Sequence, residues 1–198
     1  MMSQEYAIRD LEDAHLPGVL RICALELGAD YHSETDFRQC LDRGKGRFCQ
    51  VALDGQGTVR GFAVALLLEP EAADDFLKLP QGGPRDRLLS RDRIGILDAA
   101  AMDDAHQGRG LGRLLVGALC QKLQEQGAGV ICAMAWKSVH GHTNAAKLLQ
   151  ENGLEKLLAI QGYWNRVVDS PEGHHCPVCG EPPCRCHGVL YARYEEQA

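Results

Sequence analysis

"QGRGLG", Gln107 to Gly112, is the stretch on which the fold turns. It stands between an apolar run, Ile94 to Met102, and a helical stripe that begins at Leu111. A strand that ends in glycines and reopens as a helix presents backbone amides with no Cβ in the way. The helix N-terminus adds the positive end of its dipole, so the turn reads as an anion seat. The competing reading is a flexible loop that happens to hold three glycines. Two other phosphate motifs are excluded. A dinucleotide fingerprint needs glycine where Arg113 stands and a ribose-binding acid about 20 residues on, where Val130 and Ile131 sit. A P-loop needs Gly-Lys followed by Ser or Thr, and no such tripeptide occurs.

Working outward, Tyr6 to Arg9 reads as a short strand entering a helix with Leu16, Val19, Leu20, Cys23 and Leu27 on one face. Arg47 to Leu53 and Val59 to Leu68 read as a hairpin turned by Asp54-Gly55-Gln56-Gly57. Glu69 to Arg93 is polar and is expected to be a surface excursion with one short helix around Asp74 to Leu79. After the glycine turn, Leu111, Leu114, Leu115, Ala118, Leu119 and Leu123 mark a long helix closed by Gly127 and Gly129. Val130 to Trp136 is a strand, and Asn144 to Glu151 a short helix stopped by Asn152-Gly153. Tyr163 to Val168 and Val189 to Tyr194 are expected as the last two strands. This alternation means α/β or α+β, and the early hairpin and late strand pair argue for a mixed sheet rather than a purely parallel one.

In that context the glycine turn resembles the pyrophosphate-binding motif of the GNAT superfamily of acetyl-CoA-dependent N-acetyltransferases, Gln/Arg-x-x-Gly-x-Gly/Ala. Gln107, Gly110 and Gly112 fill its fixed positions, and the flanking strands and helices fall in family order. The resemblance implies a mixed, mostly antiparallel sheet flanked by helices that splays between its fourth and fifth strands, with pantetheine pairing to backbone near Ala100 and Met102. It implies that the amides of Gly108, Arg109, Gly110, Leu111 and Gly112 hold the pyrophosphate. Arg109 and Arg113 are candidates for further phosphate contacts, against the alternative of solvated surface charges. The whole chain, 1–198, is then one such domain.

Amide formation from a thioester needs a neutral amine, a proton acceptor and a donor for the leaving thiolate. The family commonly takes its base from a carboxylate near the fourth strand and its acid from a tyrosine in the helix after the fifth. Asp98 interrupts the apolar run 94–102, on the same face as Ile96, Ala100 and Met102, and is the candidate base. Its alternative is a carboxylate tied to nearby backbone or an arginine. The expected tyrosine slot, aligned on Gly153-Leu154, holds Leu149, which cannot donate a proton. His140, His142 and Tyr163 are the candidate donors, against two loop histidines and a packed strand aromatic. A reaction with no dedicated acid is the further alternative.

"HHCPVCGEPPCRCH", residues 174–187, is the densest run of reactive side chains. Cys176-x-x-Cys179-Gly180 has the form of a zinc knuckle, since two intervening residues let both thiolates reach one ion and the glycine permits a tight turn. Cys184 and Cys186 complete a closed tetrahedral set for a structural Zn²⁺. His174, His175 or His187 could replace one cysteine. Free or redox-active thiols are the plain alternative, and a catalytic zinc using Glu181 the sharp one. Residues 170–188 are read as a zinc-binding loop inserted in the C-terminal hairpin, ordered by metal where apolar side chains are scarce.

Composition bounds the rest. Of 198 residues 45% are hydrophobic and 24% charged, which fits a globular chain. The longest apolar stretch, Phe62 to Leu68, is too short to span a bilayer, and no signal peptide is predicted at the N-terminus. The other five cysteines sit among apolar neighbours as buried thiols. The expectation is a cytoplasmic enzyme with no membrane partner. A net charge of −6 with no basic cluster argues against nucleic acid. The resemblance implies a small-molecule or protein amine as acceptor, with acetyl-CoA as cosubstrate, and last strands that can serve a homodimer. A different class is a non-catalytic acyl-CoA-binding or partner-docking protein that uses the zinc loop as its grip.

Overall fold

A computed structural model of the chain describes residues 6–28, 31–42, 46–141, 143, 145–167 and 176–195. In chain order it runs β1 (Ala7–Asp10), α1 (Leu16–Glu26), α2 (Glu34–Gln39), β2 (Arg47–Leu53) and β3 (Val59–Leu68). Then come α3 (Pro70–Leu77), α4 (Gly83–Leu89), β4 (Ile94–Met102), α5 (Leu111–Glu125) and β5 (Val130–Lys137). The last elements are α6 (Ala146–Glu151), β6 (Glu155–Gln161), α7 (Trp164–Val167) and β7 (His187–Tyr194). The expected mixed α/β class holds, and the pairings β1–β2, β2–β3, β5–β7 and β6–β7 are all antiparallel. No described helix is long and apolar enough to cross a membrane.

The residues group into two compact units. The first takes the chain up to Leu67 together with Leu97–Gln126, and the second takes Leu68–Ile96 with the residues from Gly127 onward. In the first, β1, β2 and β3 are neighbours, and the predicted hairpin is present with one irregularity between Ala52 and Leu53. Its core gathers Val19, Ile22 and Cys23 of α1, Phe37 of α2, and Val51, Phe62 and Val64 of the strands. Phe37 meets Phe62 edge-on at 5.3 Å between centroids. Full burial of each large apolar side chain here is worth about 1.5–3 kcal/mol. Gly61 of β3 is the close-approach point: a Cβ there would lie 3.1 Å from the Ala101 carbonyl and 3.2 Å from Leu115 of α5.

α5 buries Leu111, Leu115, Val116, Leu119, Cys120 and Leu123. Leu114, expected on that stripe, is 47% exposed. At about 100° per residue the buried arc is centred near residue 112, and Leu114 falls outside it, so the apolar sequence stripe is wider than the packed one.

In the second unit β7 lies between β5 and β6, with Val130 opposite Tyr194 and Glu155 opposite Ala192 at one end. Here the structure corrects two sequence expectations. The polar stretch 69–93 holds two helices rather than one, anchored by buried Ala73, Leu77 and Leu88 and by the Arg85–Asp74 ion pair. The strand expected at Tyr163 to Val168 is instead β6 at Glu155–Gln161, and 164–167 is a helical turn. Gly162, at φ +65°, turns the chain out of β6 and sets the Tyr163 ring against Gly188, where an added Cβ would be 2.6 Å away.

Candidate functional site

The glycine turn lies wholly in the first unit. Gly110, at φ +80°, precedes α5 and provides no side-chain cap, so the first amides of that helix have neither an intrahelical acceptor nor a capping oxygen. Gly108 stands at φ +71°, and an added Cβ at either glycine would meet no described atom within 4 Å. The space over the turn is open, and only the left-handed backbone demands glycine. Gln107 braces the turn, its Nε2 donating to Glu26 Oε2 at 2.8 Å and to the Met102 carbonyl at 3.3 Å. Asp103, just upstream, accepts from Arg21 at 3.2 Å and Arg60 at 3.4 Å. Burial pushes its carboxyl up, but Arg21, with His106 and the Ala105 amide, more than reverses this, and it titrates below the usual range. Residues 107–110 and Arg113 face solvent.

Asp98 lies on β4 where the strand changes from fully buried to half-buried, over Asp98, Ala99 and Ala100. Its Oδ2 is 3.4 Å from His32 Nε2, and the two side chains are 14% and 10% exposed. His32, in the connection between α1 and α2, carried no sequence signal: it stands 66 positions from Asp98 in no motif. Tyr31 meets the His32 ring edge-on at 5.0 Å. Although half of Tyr31 faces solvent, its phenol is pushed up to about 12, first by burial and then by the negative charge of Asp98. His32 also meets Phe37, at 5.6 Å.

The donor candidates fare differently. His140 is exposed in the turn closed by the Gly141 amide on the Ser138 carbonyl. His142 lies outside the described residues. Leu149, in the slot where the family pattern has tyrosine, is buried in α6. Tyr163 is 3% exposed and its hydroxyl donates to the Leu77 carbonyl at 2.7 Å. Burial, aided by Cys132, pushes its phenol well above the usual range.

The second unit brings Cys176, Cys179, Cys184 and Cys186 together, with all four Sγ atoms within 4.8 Å of one another. Cys176 and Cys179 lie 3.7 and 3.6 Å from Cys186, far beyond a disulfide bond. A tetrahedron with Zn–S spokes of about 2.3 Å has edges of about 3.8 Å, so the four thiols fit a zinc ion. Among the described residues no histidine joins the group. His187 pairs in β7, and His174 and His175 lie outside the described residues. The Arg185 amide donates to Cys179 Sγ at 3.4 Å and, as the largest cause, brings that thiol down to about 7. Burial first of all pushes Cys186 up to about 12.

Supports that the sequence did not announce hold the cluster. Asn165 of α7 clasps Cys184 both ways, Nδ2 to the carbonyl and Oδ1 from the amide, each at 2.8 Å. The Gly162 amide donates to the Cys186 carbonyl at 2.8 Å. Trp136 and Trp164 pack against the sulfurs. Gly180, at φ +75°, closes the knuckle by exchanging amide–carbonyl bonds with Cys176.

Comparison with known proteins gives a consistent result. Residues 7–154 match the family model described as "Acetyltransferase (GNAT) family". No curated protein matches the chain. Among solved structures, the ribosomal-protein-S18-alanine N-acetyltransferase of Escherichia coli superposes with a TM-score of 0.62 at 17% identity, over 98% of this chain and 96% of that one. The Drosophila melanogaster polyamine N-acetyltransferase gives 0.61 at 17%, over 96% and 100%. A phosphinothricin acetyltransferase from Sinorhizobium meliloti, solved with AcCoA, gives 0.60 at 20%, over 96% and 88%. At such identities the structures speak for the fold, while the family model covers about three quarters of the sequence and speaks for membership. The turn opening α5 straight after β4 stands inside that matched region, and the chain belongs to the GNAT family as an acetyl-CoA-dependent N-acetyltransferase.

Proposed function

We propose that the enzyme transfers the acetyl group of acetyl-CoA to a primary amine, on a small molecule or a protein, by direct attack of the amine on the thioester. The backbone of residues 108–112 binds the pyrophosphate, Gln107 holds the turn, and Arg109 and Arg113 add positive charge. The backbone near Ala100 and Met102 receives the pantetheine arm. Asp98 is the carboxylate of the proton-accepting group. The thiolate of coenzyme A leaves with little assistance, because a thiolate is a far weaker base than an alkoxide and need not be protonated as the C–S bond breaks. That explains how Leu149 can occupy the tyrosine slot, and it leaves His140 and solvent to deliver the last proton. His142 stands in the same stretch. Tyr163, with its hydroxyl spent on Leu77, acts in packing.

The four cysteines hold one structural Zn²⁺. With four protein thiolates the ion has no open position for water, so it orders the β6–β7 connection and takes no part in bond making. The observation that carries the acetyl-transfer reading is the half-buried Asp98 on the strand that runs directly into the glycine turn. The test is release of coenzyme A thiol from acetyl-CoA across a panel of primary amines. Turnover with at least one amine, reduced by Asp98→Asn, is the expected result; tight coenzyme binding with no thiol release from any amine refutes it.

A further inference from the structure

The geometry points to His32 as the group that takes the acceptor's proton, with Asp98 holding its ring and balancing its charge. This inference rests on the acetyl-transfer reading above. His32 Nε2 faces Asp98 Oδ2 at 3.4 Å, is withdrawn from water, and has no hydrogen-bond partner among the described residues. Catalytic contacts are often long and poorly aligned until substrate is present, so the 3.4 Å separation is compatible with a working pair. The ring is fixed from both sides by edge contacts with Tyr31 and Phe37, and Phe37 in turn stands on Phe62. With Nε2 directed at the carboxylate, Nδ1 is the nitrogen left to accept a proton, and Asp98 fixes that tautomer.

The chemistry favours histidine over the carboxylate alone. Moving a proton from an alkylammonium to an ordinary carboxylate is uphill by about six powers of ten, and to an ordinary imidazole by about four. Asp98 faces the ring from β4, and Asp36 faces it from α2, itself bonded to Ser33 and Arg47. Among the described residues Tyr31 and Cys23 are the other titratable groups against it, and Cys40 and Arg47 are near Asp98 and Asp36. In the step, one ammonium proton passes to His32 Nδ1. The freed lone pair forms the C–N bond to the acetyl carbon and the C–S bond breaks. The second nitrogen proton ends on the thiolate through solvent, and His32 returns its proton to water.

The test uses the intact enzyme, acetyl-CoA and an amine that it turns over, with His32→Gln, His32→Ala and Asp98→Asn. His32→Ala is expected to lower kcat about 100- to 1,000-fold while the KM for acetyl-CoA stays within about three-fold. The acidic limb of the kcat/KM profile should vanish, and added imidazole should restore at least about ten-fold of the lost rate. His32→Gln keeps the ring's volume and a polar end; with melting as in the wild type, it should be as slow as the alanine variant. Both His32 variants within about three-fold of wild type, with the acidic limb in place, overturn the inference. A dead Asp98→Asn beside active His32 variants does so too, while leaving acetyl transfer intact. Wild-type enzyme that binds coenzyme A but releases no thiol from any amine removes the underlying reading and this inference with it.

Discussion

Taking one sulfur from the cysteine cluster is expected to open residues 176–186 while the surrounding strands stay paired. Those eleven residues form no helix and no ladder strand, and the side chains buried among them are Cys176, Cys184 and Cys186. Fixing eleven backbones costs on the order of 10–20 kcal/mol. Hydrogen bonds tie the segment, among them two with Asn165, one from Gly162, two across the knuckle and one from the Arg185 amide to Cys179 Sγ, and together these contribute roughly 5 kcal/mol. The remaining shortfall of roughly 5–15 kcal/mol is the size of what a structural zinc supplies, about 10–16 kcal/mol. Hydrogen exchange followed by mass spectrometry reads the result directly. The amides of Gly162, Cys176, Gly180 and Cys184 each donate to a defined acceptor. Chelation, or Cys186→Ala, should lower their protection at least about 100-fold, with Val130–Lys137 of β5 unchanged. Metal analysis should give about one zinc per chain. A folded, metal-free wild-type protein in which those four amides stay protected would refute the reasoning.

Gln107→Ala removes both braces of the glycine turn and should raise the acetyl-CoA KM about 3- to 10-fold with kcat nearly constant; an unmoved KM in steady-state assays contradicts that role. Tyr163→Phe strands the Leu77 carbonyl and should cost about 1–2 kcal/mol in a denaturant melt, with kcat within about two-fold. A large fall in kcat at unchanged stability would return Tyr163 to the chemistry. Asp54, held low by the Thr58 amide and then Arg60, and Asp36, held low by Ser33, join Asp103 below the ordinary carboxylate range. Their unfolded forms bind protons at higher pH, so their stabilisation is complete above about pH 4 and is lost as pH falls through their folded values. Urea midpoints between about pH 5 and 2 should decline, and Asp54→Asn should flatten the decline.

Local chemistry made the first four strands and the long helix legible. The Asp54–Gly57 turn and the glycines before Leu111 permit few backbone paths, and the apolar periods beside them agree with those paths. The stretch 155–168 misled for a physical reason. Aromatic Tyr163 and Trp164 suggest a strand, but Gly162 turns the chain and Gly188 provides a flat seat for the Tyr163 ring. The cysteine set was visible because its ligands are close in sequence. Asn165 and the two tryptophans that steady it were not, since nothing in their neighbourhoods marks them. His32 was invisible for the same reason: its tie to Asp98 crosses 66 positions and exists only once α1, α2 and β4 are assembled.

The placing of β7 between β5 and β6 makes assembly order a property of the second unit. During synthesis β5 and β6 both emerge before the strand that joins them, so the β5–β7 and β6–β7 ladders form only after the chain has passed residue 194. The cysteine loop emerges immediately ahead of that strand. Closure of the cysteine cluster and insertion of the final rung therefore become neighbouring events in time. Trimming the chain within His187–Tyr194 would remove the middle of this part of the sheet, where trimming an edge strand would only shorten it.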